Sequence, residues 1–151
     1  MDAKDFKIIQ ALQADGRLTN QDLAERVGLS PSPCLRRVKM LEEAGVVRGY
    51  TALVDQKRYG LPLTVFVRIG LERHSHQIVQ GFEARVTAIP EILDCYLMTG
   101  GADYLLRVVA KDLDDYERFV RQQLHAIPGI ASIDTSFAYG HVKHSQVLPD
   151  P

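Results

Sequence analysis

The stretch GLSPSPCLRRVKMLEEAG, residues 28–45, constrains the fold more than any other part of this 151-residue sequence. It places two prolines at the start of a short segment that a glycine ends. Proline suits the first turn of a helix, and the residue before a proline is pushed out of helical geometry. The stretch therefore predicts a helix from Pro33 to Ala44, with Ser32 as its N-cap and Gly45 as its stop.

Two shorter helices are predicted before this one. Apolar residues at helical spacing predict a first helix from Asp5 to Ala14, ended by Gly16. Thr19, with Asp22 three positions later, resembles a capping box and predicts a second helix that ends at Gly28. We expect the third helix to face the first two with residues that recur at every third position: Leu35, Val38 and Leu41. Three short helices with a tight turn between the last two make a helix-turn-helix.

The segment after the third helix, VVRGYTALVD at residues 46–55, is rich in residues that favour strands. It predicts a strand or a small wing beside the helices. Residues 56–62 have little apolar periodicity and include a glycine and a proline, which indicates a linker. The predicted organisation is a first domain at residues 1–55, a linker at 56–62 and a second domain at 63–151.

The apolar pattern changes in the second domain. The sequence TVFVRIGLE alternates with the period of a strand, and two further strands are predicted in ILDCYLMT and DYLLRVVA and a last one in IASIDTSFAYG. Helices are predicted from Gln77 to Ala88 and, after Asp112 as N-cap, from Leu113 to His125. This order is the ferredoxin-like βαββαβ arrangement, so the predicted fold class is α+β. One sheet face keeps apolar residues that the helices do not cover, which favours a partner subunit.

Charge is distributed unevenly along the chain, although the formal net charge is only −1. Residues 31–60 contain three anions and six cations, the cations being Arg36, Arg37, Lys39, Arg48, Lys57 and Arg58. A basic helix-turn-helix joined to a more acidic domain is typical of a nucleic-acid-binding module with a second function attached.

Several function classes are disfavoured by the sequence. No run approaches the roughly 20 apolar residues of a membrane span, and the start MDAKDFK lacks the layout of a secretory signal, so we expect a cytoplasmic protein without a membrane partner. Neither Cys34 nor Cys95 lies in a CxxC motif, and the histidines lack nearby ligands that would complete a regular metal set. The motifs GxSxG, HExxH and GxxxxGK are absent. We therefore expect no metal, no cofactor and no enzymatic activity.

Three segments carry a resemblance to a known family: GLSPSPCLRRVKMLEEAGVVRGYTALVD, TGGADYLLRVVAKDLDDYERFV and TSFAYGHVKHSQVLP. In this order and spacing, they closely resemble the leucine-responsive and asparagine-responsive regulators of bacteria, the Lrp/AsnC family. The resemblance implies a winged helix-turn-helix for DNA binding, followed by a ferredoxin-like domain that senses an amino acid. It also implies homodimers that assemble further into tetramers or octamers.

Candidate contacts to double-stranded DNA lie on and around the third helix, whose N-terminal half enters the major groove in a helix-turn-helix. Arginines suit guanine edges or phosphates, lysine suits phosphates, and serines suit the DNA backbone. The predicted contacts are Ser30, Ser32, Arg36, Arg37, Lys39 and Arg48. The alternative is a solvated basic face that serves only solubility.

The candidate effector site is centred on the GGAD sequence between two strands. Glycines there allow a tight turn whose N–H groups can hold a carboxylate, and Asp103 can accept from an ammonium group. A plain hairpin turn would explain the two glycines equally well. The resemblance implies that this loop lines the effector pocket with the last strand of a neighbouring subunit, and that family members often have an acidic or polar residue at the position of Gly101.

The predicted effector residues are Leu97, Met98, Thr99, Gly100, Gly101, Ala102, Asp103, Thr135, Ser136, Phe137 and Ala138. The apolar members of this set favour an apolar or sulfur-containing amino acid. The sequence thus predicts a transcription regulator that binds DNA and responds to an amino acid or a related metabolite. The alternative is an architectural oligomer that wraps DNA and responds to no small molecule.

Overall fold

The computed structural model of the protein describes residues 1–149. The chain forms two compact units, one made of residues 1–53 with the described part of the segment from 142 onward, the other made of residues 54–141. Residues 150 and 151, the last two of the predicted second domain, lie outside the described residues. Among the described residues, no helix is both long enough and apolar enough to cross a membrane.

The first unit contains three helices, α1 (Ala3–Ala14), α2 (Asn20–Val27) and α3 (Pro31–Glu43). Helix α1 begins earlier than predicted because Asp2 and Asp5 form a capping box, in which each carboxylate accepts from the backbone N–H of the other residue. Helix α2 has the predicted N-cap, since the Thr19 hydroxyl accepts from the backbone N–H of Asp22 at 3.2 Å.

The prediction for the start of the third helix was wrong by two residues. Its N-cap is Ser30, so Pro31 is the first helical residue and Pro33 lies within the first turn. In the first turn of a helix a backbone N–H has no intrahelical acceptor, so a proline there costs no hydrogen bond. Its ring also meets no carbonyl of a preceding turn. Both prolines therefore fit the first turn, and Ser32 between them is helical.

The buried face of α3 also differs from the prediction. Cys34 is fully buried and Leu41 is nearly so, whereas Leu35 is 44% exposed. A spacing of exactly three residues drifts around a helix of 3.6 residues per turn, and the spacing of 34, 38 and 41 follows the helix better. These α3 residues pack with a core from the other two helices: Ile8, Ala11, Leu23, Ala24 and Val27.

The segment at residues 46–55, all of which the structure describes, contains no strand, so the prediction of a strand there was wrong. Its first two N–H groups, those of Val46 and Val47, both donate to the carbonyl of Leu41 and so complete the end of α3. A strand also needs a neighbouring strand to pair with, and local β propensity does not supply one.

The second unit contains four strands: β1 (Leu63–Leu71), β2 (Ile92–Leu97), β3 (Tyr104–Ala110) and β4 (Ile130–Phe137). Its helices are α4 (Gln56–Tyr59), α5 (His76–Thr87) and α6 (Leu113–Phe119), and α6 continues into a π-helical turn, Val120–Leu124. The sheet order is β2-β3-β1-β4, with every neighbouring pair antiparallel. This is the predicted ferredoxin-like, α+β arrangement.

Two local features refine the predictions for this unit. The predicted linker contains α4, which Asp55 caps by accepting from the backbone N–H of Arg58 at 2.8 Å. Asp112 caps α6 as predicted, by accepting from the backbone N–H of Asp115. Short helices of this kind depend on their caps rather than on apolar periodicity, so periodicity did not reveal α4.

The helix-covered face of the sheet forms the core of the second unit. Val65, Val67 and Ile69 of β1 are fully buried, and Phe82 of α5 and Leu124 lie in the same core. The opposite face bears Phe66, 37% exposed, and Tyr96, 54% exposed. It also carries two ion pairs, Arg68 with Asp134 and Arg107 with Asp94.

The corrected orientation of α3 predicts which of two leucines stabilises the first unit. Leu41→Ala should lower the free energy of unfolding by about 2–5 kcal/mol, because it leaves a cavity in the core. Leu35→Ala should lower it by less than about 1 kcal/mol, because the side chain is largely solvated. Urea unfolding followed by circular dichroism measures both variants. Equal losses of unfolding free energy in the two variants would contradict this orientation of α3.

Candidate nucleic-acid interface and effector site

The outer face of α3 carries three of the predicted DNA contacts. Ser32, Arg36 and Lys39 follow the spacing i, i+4, i+7, which places them on one side of the helix. All three are exposed, and the fully buried Cys34 lies on the opposite side. The arrangement presents two cations and a hydroxyl to solvent from a helix whose other side is fixed in the core.

The N-terminus of α3 is held in place by α2. The side-chain amide of Asn20 donates to the carbonyl of Pro31 at 2.8 Å, which ties the first turn of α3 to the first turn of α2. Ser30 is exposed, and its hydroxyl makes no capping hydrogen bond. The serine is therefore available to a phosphate oxygen, while its backbone is fixed by the turn.

Arg37 lies apart from that outer face. Its guanidinium pairs with Asp2 at 2.9 Å and with Asp5 at 2.7 Å, which anchors the first turn of α1 against α3. The hydrogen bonds to Asp5 and Asp2 raise the pKa of Arg37. The pKa of Asp2 is lowered, first by the backbone N–H of Asp5 and then by Arg37. Although Arg37 was predicted as a DNA contact, its charge is already paired within the chain.

Other residues support the DNA-binding unit, and sequence reasoning missed them. Lys4 donates from Nζ to the carbonyls of Val27 at 2.7 Å and Gly28 at 3.1 Å, which satisfies the end of α2. The Tyr50 hydroxyl donates to Glu42 at 2.9 Å. Arg48, which the sequence did predict as a DNA contact, is exposed on the segment between α3 and Tyr50. No sequence signal pointed to the Lys4 contacts, because the partners are more than 20 residues apart.

The predicted effector loop connects β2 to β3 and is tied to β1. The backbone N–H of Met98 donates to the carbonyl of Asp103 at 2.8 Å, and the N–H of Asp103 donates to the carbonyl of Ile69 at 2.9 Å. Gly100 has a φ of +108°, which favours glycine. Gly101 has no such requirement, and a Cβ atom there would meet no atom within 4 Å. The loop is a hairpin connection with one position that needs glycine.

Asp103 uses both carboxylate oxygens within the chain. One accepts from the backbone N–H of Leu71 at 2.7 Å, and the other lies 2.7 Å from Nε2 of His74. The Leu71 N–H, and after it His74, lower the pKa of Asp103, so it stays charged at neutral pH. Asp103 thus anchors the loop to the end of β1. Within the described residues, no group of three His, Cys, Asp or Glu side chains could hold a metal ion.

The predicted residues of β4 pair with the first part of β1, Thr135 with Val67 and Phe137 with Val65. Phe137 pairs in register with Val65, whereas the loop is bonded to Ile69, four residues further along β1 or roughly 13 Å away. Thr135 shares a hydrogen bond with the Tyr116 hydroxyl at 2.7 Å, and the ring of Phe137 meets that of Tyr116 edge to face. Within one chain, Thr135 and Phe137 thus contact Tyr116, and Phe137 lies well away from the loop.

The side chains at the loop itself face solvent in the single chain. Leu97 is 75% exposed and Met98 is 42% exposed, and Thr99 and the two glycines are exposed as well. Large apolar side chains that are exposed next to a well-ordered hairpin loop are typical of a surface that a ligand or another subunit covers.

Matches to known proteins cover both units. Residues 1–48 match the family described as winged helix-turn-helix DNA-binding, and residues 64–148 match the family described as the Lrp/AsnC ligand binding domain. The chain belongs to the Lrp/AsnC family. The prediction of a DNA-binding transcription regulator with a ligand-binding domain is therefore confirmed. Both ranges together include every predicted contact residue, but the role of each residue stays a prediction.

The relatives of this Lrp/AsnC regulator are similar along nearly their whole length. It is 46% identical to the Bkd operon transcriptional regulator of Pseudomonas aeruginosa, over 91% of this chain and 90% of that one. It is 42% identical to the leucine-responsive regulatory protein of Rhizobium meliloti, over 95% of this chain and 92% of that one. A transcriptional regulator of Neisseria meningitidis, solved as its L-Met complex, has a TM-score of 0.94 at 43% identity, covering 99% of this chain and 96% of that one.

The anchoring role of Asp103 predicts a pH-dependent difference in stability. A carboxyl whose pKa is lowered on folding stabilises the fold above its ordinary pKa of about 4, and the contribution is lost as the pH falls through the lowered value. Asp103→Asn should therefore unfold at lower urea concentration than wild type at pH 7, and the difference should shrink in acid, below about pH 4.

Urea midpoints at pH 7 and at acid pH measure this difference. Glu72→Gln, a change to another exposed carboxyl near the end of β1, is the matched control and should show no such pattern. A gap between Asp103→Asn and wild type that is the same at both pH values would show that the charge of Asp103 has no part in anchoring the loop.

Proposed function

We propose that this regulator contacts the major groove of double-stranded DNA through the outer face of α3, and that an amino acid at the β2–β3 loop alters this contact. The single observation that supports the first part is the exposed row of Ser32, Arg36 and Lys39 on a helix fixed from behind. Arg36 is the residue that we assign to a base edge, since arginine pairs with guanine through two hydrogen bonds. Lys39 and Arg48 contact phosphates, as do the serines.

Arg37 has a supporting role in this proposal. Its two ion pairs hold α1 against α3, so its charge is already neutralised where a DNA phosphate would need it. Of the three cations in α3, only Arg36 and Lys39 on the outer face are therefore presented to DNA.

The assembly that we propose begins with a homodimer and extends to a tetramer or octamer. The exposed apolar residues on the open face of the sheet support a partner subunit there. A dimer pairs two α3 helices, and such pairs bind half-sites about one helical turn apart or a multiple of that spacing. The regulator acts in the cytoplasm, where its DNA is, and we assign it no enzymatic activity.

The effector in this proposal is an apolar or sulfur-containing amino acid, with methionine as the first candidate. The related regulator of known structure binds L-Met, and the exposed Leu97 and Met98 suit an apolar side chain. The N–H groups of the glycine loop suit the carboxylate of the ligand. Asp103 keeps the loop in shape, and Thr135, Ser136, Phe137 and Ala138 come from a neighbouring subunit.

Coupling between the effector site and the DNA-binding helices follows if the effector pocket is divided between two subunits. A ligand that contacts two subunits binds better to one arrangement of them and so increases the population of that arrangement. The spacing of the paired α3 helices changes with the arrangement, and DNA affinity changes with the spacing.

The DNA contact predicts opposite behaviour for two adjacent arginines. Arg36→Ala should weaken operator binding by about 10- to 100-fold, the range for one lost bidentate contact to a base, and should leave the urea midpoint unchanged. Arg37→Ala should lower the urea midpoint, because it leaves Asp2 and Asp5 without their cation. Fluorescence anisotropy with DNA from the protein's own upstream region measures the affinity.

Lys111→Ala removes an exposed cation from the second unit and is the control for net charge. If Arg36→Ala and Lys111→Ala weaken binding equally, the outer face of α3 does not contact a base.

The effector proposal predicts that L-methionine changes the operator affinity or the mass of the assembly. Light scattering and anisotropy with each of the twenty amino acids measure both quantities, and Leu97→Asp should abolish the response without abolishing DNA binding. DNA binding that no amino acid alters would contradict the sensor function and favour an architectural DNA-wrapping protein.

A further inference from the structure

The C-terminal segment of the chain belongs to the DNA-binding unit, although it follows the last strand of the other unit. The described residues of this segment, 142–149, cluster with residues 1–53. The contact is made by Gln13 in the last turn of α1, whose Nε2 donates to the carbonyl of Gln146 at 2.7 Å. Its Oε1 accepts from the backbone N–H of Leu148 at 3.2 Å. These partners are more than 130 residues apart in sequence.

This pair of bonds depends on the backbone of the segment and not on its side chains. A primary amide has a donor and an acceptor on one planar group, and it pairs with a peptide backbone as a neighbouring strand would. Gln13 therefore holds residues 146–148 as a strand-like edge contact. Among the side chains of α1, few have both a donor and an acceptor, and replacing the amide by an apolar group of similar size removes both bonds.

The docked segment is held weakly. Val142 and Leu148 are largely exposed, and both hydrogen bonds of Gln13 to the segment are exposed to solvent. Segments with few buried apolar contacts and exposed hydrogen bonds open at small free-energy cost. The contact is thus poised between a docked and a released state, and a modest difference in binding energy is enough to shift it.

We propose that residues 142–149 form a strap that restrains the DNA-binding unit through Gln13, and that its release loosens the pairing of two such units on one operator. The chain passes between the two units twice, after residue 53 and after residue 141. A unit connected at two points samples fewer orientations than a unit connected at one. Restricting orientation raises the effective concentration of the second α3 at its half-site once the first is bound.

The strap rests on the proposed DNA binding, but it makes a separate prediction. Binding of one α3 to an isolated half-site does not depend on how the second unit is oriented. Simultaneous binding to two half-sites does. The strap therefore contributes only to the paired complex.

The test uses the full-length protein with Gln13→Leu, which keeps the size of the side chain and removes both hydrogen bonds. Gln80→Leu, on the exposed face of α5, is the matched control. Hydrogen exchange at the Leu148 amide reports docking directly, and we expect it to be several-fold faster in Gln13→Leu than in wild type or the control. Anisotropy with DNA carrying one half-site or two reports function.

We expect Gln13→Leu to bind the two-site DNA about 3- to 10-fold more weakly and the one-site DNA as wild type does. Unchanged exchange at Leu148 would show that Gln13 does not hold the segment, and faster exchange with unchanged two-site affinity would show that the strap has no role in pairing. Equal weakening on both DNAs, or a change in assembly mass by light scattering, would also overturn the proposal. Failure of the wild-type protein to bind either DNA would instead refute the proposed function.

Discussion

The central strand β1 is the element on which the second unit depends. It is paired on both sides, and its side chains at 65, 67 and 69 are fully buried on the helix-covered face. The features near the ends of the strand are attached to its backbone: the loop through Asp103 at Ile69 and Leu71, and the exit of β4 through the bond from Ala138 to Thr64. Because a strand buried on one face cannot shift by one residue without exposing that face, the position of the β2–β3 loop is fixed with it.

In the first unit, some cations are bonded to other groups of the chain and others are exposed on the surface. Only the exposed cations are available to DNA. Lys4 and Arg37 are both cations of the first unit, yet Lys4 caps α2 and Arg37 pairs with Asp2, the N-cap of α1, and with Asp5 in its first turn. Their charges fix the three helices relative to one another. Arg36 and Lys39 have no such role and remain on the outside. Lysine and arginine therefore serve two purposes in this unit, namely joining the helices and presenting charge to DNA. The bonding partner of each cation shows which purpose it serves.

Much of the fold was predictable because it depends on local rules. The caps at Thr19 and Asp112 and the alternation in β1 involve neighbours in sequence, and the predicted order of strands and helices from β1 to β4 is confirmed. Other features depend on partners far away. The role of Arg37 depends on Asp2 and Asp5, more than 30 residues earlier, and that of Asp103 on Leu71 and His74. Counting charges or recognising a glycine pair cannot identify such partners, so the sequence predicted candidate segments but not the contacts that each side chain makes there.

The proposed division of the effector site between two subunits has a thermodynamic consequence. If one ligand contacts the loop of one chain and β4 of another, its binding free energy includes the free energy of bringing those chains together. By linkage, any factor by which the ligand changes DNA affinity must equal the factor by which DNA changes ligand affinity. A pocket inside one chain would not require the assembly to take part. In the arrangement that we propose, the pocket is divided between subunits, so the ligand acts through the arrangement of the subunits and thereby through the spacing of the paired α3 helices.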